Sequence, residues 1–445
     1  MRRVLIANRG EIACRVIRAA KKIGVETVAV FSEADRDAPH VAAADAAVEI
    51  GPAPVPKSYA NAEALLEALR RSGADAVHPG YGLLSENAGF AQAVIEAGAI
   101  WVGPTPAAIR RMGDKVEALA AARAAGVPVA PGSHGAVATS EAATVAERVG
   151  YPVMLKAAAG GGGIGIAKLA STAELEKAIE GIQTRARNFF GNDAVYVEKF
   201  IERPRHIEIQ VFADHHGHVI HLGERECSLQ RRHQKVLEES PSPVVDAALR
   251  ARMGEAAVAL ARAIGYRNAG TLEFLLGADG QFHFMEMNTR IQVEHPVTEL
   301  VQGVDLVAEQ LRVAAGEPLS IARREPQGHA IEVRLCAEDP NTLFPAPGRI
   351  ERLVWPPGDH IRIDTGVAEG SVISPFYDSM IAKLVVHGAD RTDAIARMAA
   401  ALEATAIEGL KTNLPVLRRI LAEPRFAAGD FDTGFLREQL GIKTA

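Results

Sequence analysis

The sequence predicts an α/β protein, with a doubly wound N-terminal domain followed by two further lobes that mix strands and helices. Three observations carry this. Short apolar runs alternate with glycine turns and amphipathic helices as far as about residue 112. A glycine-rich loop lies between two short strands around residue 160. A last block of strands and helices follows the polar, proline-containing segment Glu317–Gln327.

Length and composition set the frame. The chain has 445 residues, room for about three domains at roughly 100–200 residues each. It is 48% hydrophobic and 23% charged, which is ordinary for a globular protein. A net charge of −6 supports neither a nucleic-acid nor a membrane-surface partner. Cys14, Cys227 and Cys336 are far apart and form no CxxC pair, so no disulfide framework is expected and a cytoplasmic setting is. The apolar start Val4–Ala7 is too short for a secretion signal. No run approaches the ~20 apolar residues of a membrane span.

In chain order, Arg3–Ala7 reads as a buried strand, Ile12–Ile23 as a helix with Ile12, Val16, Ala20 and Ile23 on one stripe, and Thr27–Phe31 as a second strand. Strand, glycine turn, helix and strand make a βαβ unit. A helix at Ala62–Arg71, a strand at Ala76–His78, a helix at Ala88–Ala97 and a strand at Ile100–Val102 continue the pattern. The first turn has Gly10 but no GxGxxG, which argues against a dinucleotide fold.

Met112-Gly-Asp-Lys115 opens an alanine-rich helix, and Val127–Gly132 reads as a linker. A smaller module follows, with strands at Tyr151–Lys156, Ile166–Leu169 and Val195–Phe200 and a helix at Ala173–Phe189. Its loop Ala157–Gly165 contains four consecutive glycines. Backbone N–H groups without Cβ atoms can close on phosphate oxygens. The loop joins two strands and ends in no Gly-Lys-Ser/Thr, so it suits a hairpin lid over a nucleotide better than a Walker loop. A plain flexible loop is the alternative, and Lys156 beside it favours phosphate.

His206–Phe212 alternates, with His206, Glu208 and Gln210 on one face, and pairs in a hairpin with His218–Leu222. Gln230–Lys235 is the most basic stretch. It is either a solvated face or a seat for a small anion; no aromatic platform for nucleic acid is interleaved. Ala248–Ile264 reads as a helix. Strands Gly270–Leu276 and Gln281–Met287 flank a four-residue turn, Gly277–Gly280. Folding that hairpin puts Glu273 opposite Phe284 and diagonal to Glu286, about 7–8 Å away. With Asn288 these carboxylates form an oxygen site suited to Mg²⁺, unless each glutamate pairs with an arginine. Read as an extended chain, Phe284–Glu294 puts Glu286, Asn288, Arg290, Gln292 and Glu294 on one face. That is either an edge strand or a site holding a metal and an anion together. A helix at Val304–Ala314 precedes the last lobe. There, His329–Cys336 carries Glu332 and Arg334 on one face, strands at Arg349–Leu353, Ile361–Asp364 and Ile381–His387 follow, and helices cover Asp393–Glu403 and Leu414–Ala422.

Cationic lysines, paired carboxylates and Arg290 beside Glu294 are the parts that phosphoryl transfer to an anionic substrate needs. Arg290 can fork onto a planar anion, and Glu294 can take its proton. The residues therefore point to an ATP-dependent, ligase-type reaction.

These motifs resemble biotin carboxylase, an ATP-grasp family, over essentially the whole chain. The matching segments are Ile6–Ile12, His78–Asn87, Met112–Lys115, Gln230–Lys235, Glu286–Pro296 and Ala337–Pro340. The resemblance implies a biotin carboxylase N-terminal domain at residues 1–112. It implies an ATP-grasp domain at 113–326, with a lid subdomain at about 131–203, and a C-terminal domain at 327–445. It implies that ATP and bicarbonate form carboxyphosphate and that the carboxyl group passes to biotin on a carrier protein. Lys115 and Lys156 match ligands of the ATP phosphates, and Gly162 and Gly163 lie in the lid. Glu198, Lys199 and Ile201 match the adenine side, and His206, Gln230, His233 and Leu275 match positions near the nucleotide. Glu273, Glu286 and Asn288 correspond to a Mg²⁺ or Mn²⁺ site. Lys235, Arg290, Gln292 and Val293 match a bicarbonate pocket, Glu294 the base and Arg334 an arginine that stabilises the biotin enolate.

The family's lid usually has Arg or Lys after its glycines, then Gly-Met; here those positions are Ile164 and Ile166. One charge over the phosphates is lost, while the backbone donors remain. The sequence holds no Met-Lys-Met biotinylation tripeptide and no carboxyltransferase domain. The expectation is therefore a subunit that works with a separate biotin carboxyl carrier protein and carboxyltransferase subunits. The expected parent is acetyl-CoA carboxylase, at the first step of fatty acid synthesis; a pyruvate, propionyl-CoA or other acyl-CoA carboxylase would look alike. The family also suggests a homodimer. Two rival readings are a different ATP-grasp carboxylate–amine ligase and a catalytically silent nucleotide-binding subunit.

Overall fold

The computed structural model describes residues 1–133, 135–157, 165–231 and 234–442. Strands β1 (Arg3–Ile6), β2 (Glu26–Phe31), β3 (Ala46–Glu49), β4 (Ala76–His78) and β5 (Ile100–Trp101) form a parallel sheet of order β3-β2-β1-β4-β5. Why the strands read as continuous apolar runs is visible in β1. Val4 and Ile6 pack with Ile12, Val16 and Leu311 on one face. Leu5 and Ala7 pack with Val28, Leu65 and Phe90 on the other. A parallel sheet covered on both faces demands that pattern, and the doubly wound expectation holds.

The linker after this domain is not free chain. Phe284 N donates to Pro128 O at 2.7 Å, so the segment lies along the edge of the next sheet. The small module forms its own three-stranded sheet from β6 (Val153–Ala157), β7 (Ile166–Leu169) and β8 (Val195–Lys199), order β7-β6-β8. Helices Thr139–Val149 and Thr172–Phe190 bury Ala142, Ala146, Leu175 and Ile179 against Val153, Leu155 and Val197. The helix Thr139–Val149 was not anticipated.

The largest sheet has eight strands and runs through the rest of the molecule. It contains β9 (Arg205–Ala213), β10 (Val219–Arg231), β11 (Gln234–Ser240), β12 (Asn268–Leu276), β13 (Phe282–Asn288), β14 (His329–Cys336) and the strands Ile361–Thr365 and Met380–Gly388. Its order is β13-β12-β9-β10-β11-β14, then Met380–Gly388, then Ile361–Thr365. β11 pairs with β14 from Leu237↔Val333 to Ser240↔Ala330. One hydrogen-bonded sheet thus spans the sequence on both sides of residue 327.

The last lobe also packs on the first domain. Arg15 and Arg362 both grip Glu299, at 2.7 and 2.6 Å. Gly366 approaches the start of helix Gly10–Lys22 so closely that a Cβ there would lie 2.3 Å from the Gly10 carbonyl carbon.

Two expectations about the central hairpin need correction. The turn is five residues, because Gly277 N donates to Gln281 O at 2.8 Å and Gln281 N to Asp279 Oδ1 at 3.0 Å. That brings Phe274, not Glu273, opposite Phe284. A bulge then follows, and Glu273 faces Glu286 directly rather than diagonally. A turn one residue longer would by itself have put Glu286 out of step with Glu273. The extra residue of the bulge restores the face. Secondly, β13 ends at Asn288. Thr289 N turns to Glu86 Oε1 at 2.9 Å, and Glu294 immediately precedes, without a capping side-chain bond, the helix His295–Gln302, which has Pro296 in its first turn. Arg290, Gln292 and Glu294 are therefore not on one extended face with Glu286. The turn at Thr289 ends the strand, and the alternating reading hid both it and the helix that follows.

Candidate active site

The site is built on one face of the large sheet, where β9, β10, β11, β12 and β13 bring charged side chains into a buried space. At its centre is the Lys235 ammonium. It donates to Glu208, to Glu273 Oε1 at 2.9 Å and to Glu294 Oε1 at 2.6 Å. Beside it Arg225, with no solvent exposure, donates to Glu208 and to Gln210, Thr271, Thr298 and Gln292. Gln292 is locked by this: its Oε1 accepts from Arg225 at 2.7 Å and its Nε2 donates to Glu273 at 2.8 Å. Arg334 closes the ring, donating to Glu238 at 2.7 Å and to Glu294 Oε2 at 3.0 Å.

The electrostatics follow from this wiring. Burial works against ionisation of Glu294, but Lys235, Arg334 and Arg225 hold its carboxyl well below the usual range. Burial likewise opposes charge on Glu273, and Lys235 and His206 overcome it. The same carboxylates more than offset the burial of Lys235, whose ammonium is held well above its ordinary value. Glu286 behaves oppositely. Burial and then Glu273 push it up, and Lys115 only partly relieves it.

Several expected residues converge here. His206 Nε2 lies 3.1 Å from Glu273, and Gln230 Nε2 is 2.7 Å from His206 Nδ1. Leu275 is the register partner of His206 and of His283. Lys115 begins the helix Lys115–Ala124. Its charge is lowered by burial, favoured by Glu286 and opposed by Lys156, which brings the lid and β13 into electrostatic reach of one another. Lys156 pairs with Glu198, and Lys199 Nζ donates to Gly150 O at 2.8 Å. Ile201 lies just past the end of β8, half-buried. Val293 O accepts from the buried Lys383 Nζ at 2.7 Å.

Arg290 is one step out. It donates to Glu86 at 2.9 Å and to Asn288 Oδ1 at 2.8 Å, and it does not contact Glu294 among the described residues. The basic run Gln230–Lys235 divides. Lys235 enters the site, whereas Arg231 ties the sheet to Glu338 at 2.7 Å and to the Leu343 carbonyl. Gly162, Gly163, Ile164 and His233 lie outside the described residues.

The sequence reading missed Arg225, Glu208 as a ligand of Lys235, Glu86 and Lys383. β10 runs from Val219 to Arg231, well beyond the strand His218–Leu222 that the sequence predicts. Its Glu224-Arg225-Glu226, beyond the expected strand, is buried throughout.

The implied divalent ion can be tested against these groups. Glu273 and Glu286 face each other across the hairpin, two like charges of which one is held up by the other. Asn288 is buried, and its Oδ1, the atom that could ligate a cation, accepts from Arg290 at 2.8 Å. An all-oxygen donor set beside a like-charged pair suits a hard cation such as Mg²⁺. A second set of closely spaced groups, His206, Glu208 and Glu273, already has the Lys235 ammonium on both its carboxylates.

Comparisons with known proteins agree along the whole length. Family models match residues 1–109 (biotin carboxylase, N-terminal domain), 114–322 (carbamoyl-phosphate synthase L chain, ATP binding domain) and 332–438 (biotin carboxylase C-terminal domain). Biotin carboxylase of Halalkalibacterium halodurans is 54% identical over 446 residues, covering 100% of this chain and 99% of that one. The biotin carboxylase domain dimer of Hydrogenobacter thermophilus 2-oxoglutarate carboxylase, in complex with MgADP, ADP and bicarbonate, superposes with a TM-score of 0.94. It is 46% identical and covers 99% of this chain and 98% of that one. The β,γ-ATP complex of Campylobacter jejuni biotin carboxylase also gives a TM-score of 0.94, at 44% identity, with 98% of each chain covered.

Proposed function

The chain belongs to the biotin carboxylase family, and we propose that the Lys235 cluster is where its ATP-dependent carboxylation of biotin takes place. The observation that carries this reading is the position of Glu294, held between Lys235 and Arg334 on the segment that continues from Glu286 and Asn288. One strand and its turn thus join a hard-cation site to a base flanked by two fixed cations.

In this reading Lys115 and Lys156 bind the phosphates of ATP. Releasing Lys156 from Glu198 is part of closing the lid. Glu273, Glu286 and Asn288 hold Mg²⁺, which supplies positive charge to the phosphates. Arg290, Gln292 and the Val293 backbone orient bicarbonate, and the locked amide of Gln292 fixes that orientation. Glu294 accepts the bicarbonate proton, becoming neutral, and Lys235 and Arg334, freed of its charge, steady the carbonate that results. A carbonate oxygen attacks the γ-phosphate as ADP leaves, and the carboxyphosphate so formed lies beside Arg334, where its carboxyl group passes to the biotin nitrogen as phosphate leaves. Residues 1–112, 113–326 and 327–445 are the functional divisions, with the lid at about 131–203.

The H. halodurans relative, named biotin carboxylase, supports the biotin-carboxylating activity, and a biotin carboxyl carrier protein is the partner that activity calls for. We place the chain in acetyl-CoA carboxylase, with carboxyltransferase subunits as further partners, in the cytoplasm. No helix among the described residues is long and apolar enough to cross a membrane. The H. thermophilus domain dimer supports a homodimer.

The test is ATP cleavage by the purified chain with bicarbonate and free biotin. Turnover dependent on both is expected. Turnover that ignores both and responds to a carboxylate plus an amine would overturn the reading. Recovery of a biotinylated carrier in a pull-down, together with its carboxyltransferase, identifies the acyl acceptor.

A further inference from the structure

Two buried glutamates stand directly behind the Arg334–Glu294 contact and have no part in the reading above. Glu238 on β11 and Glu332 on β14 are register partners in antiparallel strands. Their side chains therefore share a face, with Cβ atoms about 4.5–5.5 Å apart. Both residues are 0% exposed. Glu238 Oε1 accepts from Arg334, but Glu238 Oε2 and both oxygens of Glu332 have no hydrogen-bond partner among the described residues.

Among the described residues no cation is hydrogen-bonded to Glu332. The charged groups facing the pair are Lys235 on β11, Arg334 on β14, Lys383 on the neighbouring strand and Glu294 on the turn before the helix. Lys235 is committed to three other carboxylates. Lys383 is committed to Val293 O at 2.7 Å and Glu11 at 3.3 Å. Arg334 is spent on Glu238 and Glu294. What three bare carboxylate oxygens lack is a donor, and a proton on one carboxyl supplies it. Two carboxylates at close range in a dry site do not both ionise.

We propose that Glu238 and Glu332 share one proton, and that this acid pair, acting through Glu238, positions Arg334 against Glu294. Glu332 carries the proton and donates it to Glu238 Oε2, which leaves the charge on Oε1 for Arg334. Burial, with the neighbouring carboxylates, supports the assignment: Glu332 is held well above the usual range and Glu238 is pushed up to about 7. At alkaline pH the shared proton is lost. A second negative charge then draws Arg334 back from Glu294, so these are positioning residues with a pH signature.

The proposal rests on Arg334 and Glu294 lying at the bicarbonate site, so one arm of its test is independent of activity. Glu332→Gln offers Glu238 a permanent N–H donor in the same volume, whereas Glu332→Leu offers none. The expected results are three. Glu332→Gln keeps kcat/KM for bicarbonate within about twofold of the parent near pH 7, it removes the parent's alkaline limb, and Glu332→Leu falls at least tenfold. Infrared difference spectra of the whole chain should contain a protonated-carboxyl band that Glu332→Gln deletes. Absence of that deletion overturns the shared proton, whether or not Glu332→Leu folds. A deleted band with an unchanged alkaline limb overturns the link to Arg334. Failure of bicarbonate-dependent turnover in the parent itself would instead count against the function proposed above.

Discussion

Replacing Lys235 by Met removes one ammonium and leaves the volume nearly unchanged. The contacts at stake are Glu208, Glu273 at 2.9 Å and Glu294 at 2.6 Å, all buried. Breaking a buried ion pair by deleting one partner costs about 3–5 kcal/mol, because the other charge stays behind. Here three carboxylates stay behind, with Arg225, Arg334 and His206 as the remaining compensation. The loss at pH 8 should reach that range.

Its pH dependence is the sharper test. In the parent, Glu273 and Glu294 are held well below their ordinary values. Depressed carboxyls contribute stability that is present above the unfolded value of about 4.3 and is lost as pH falls through the folded value. Without Lys235 the same carboxyls move up through burial and mutual repulsion. The variant then takes up protons on folding and regains stability as pH falls. Each carboxylate that does so closes the gap by about 1.4 kcal/mol per pH unit below its raised value. Unfolding midpoints of parent and variant, compared from pH 8 to pH 5.5, should therefore converge on the acid side. A gap that stays constant across that range, or no gap at pH 8, would refute the assignment of Lys235 as the counter-ion of the cluster. Bicarbonate-dependent ATP cleavage should be lost throughout.

Other substitutions probe the remaining parts. Glu294→Gln should lower bicarbonate-dependent ATP cleavage by about 10²–10⁴, the usual worth of a positioned base, and leave nucleotide affinity unchanged; unaltered turnover removes Glu294 from its role. Glu286→Gln relieves a buried charge that burial and Glu273 disfavour, so it should raise the unfolding midpoint while raising the Mg²⁺ concentration needed for half-maximal turnover. Gly366→Ala drives a methyl group against the Gly10 backbone, 2.3 Å from its carbonyl carbon, and should lower the unfolding midpoint; an unshifted midpoint would contradict the tight packing of the last lobe on the first helix.

Much of this site is legible in the sequence, and the limits have physical causes. The apolar runs of β1 and β2 show themselves because a parallel sheet is buried on both faces. Glu273, Glu286 and Asn288 show themselves because polar residues recur on one face of a hairpin. The register of that hairpin does not, since both the fifth turn residue, Gln281, and the bulge beyond it depend on local hydrogen bonds. Arg225 is the instructive omission. Hydropathy reads a charged residue as exposed, whereas this one is fully buried because five acceptors from four other segments surround it. No local window contains them. The break after Asn288 had a visible signal in Pro296, which suits the first turn of a helix, but the alternation of Glu286 to Glu294 outweighed it.

The pairing of β11 with β14 has a consequence for how the protein is made. These neighbours are separated by 90 residues at the His329–Glu239 contact. Synthesis at about 5–20 residues per second leaves β11 emerging on the order of ten seconds before its partner. During that interval the nascent chain presents an open strand edge, and unpaired edges invite association with other chains. Charged side chains lie along that edge: Lys235 and Glu238, which later wire the site, and Glu239, which pairs with His329 and Arg391. They discourage such pairing while the ribosome is still at work, so the groups assigned here to bicarbonate chemistry also serve as gatekeepers of assembly.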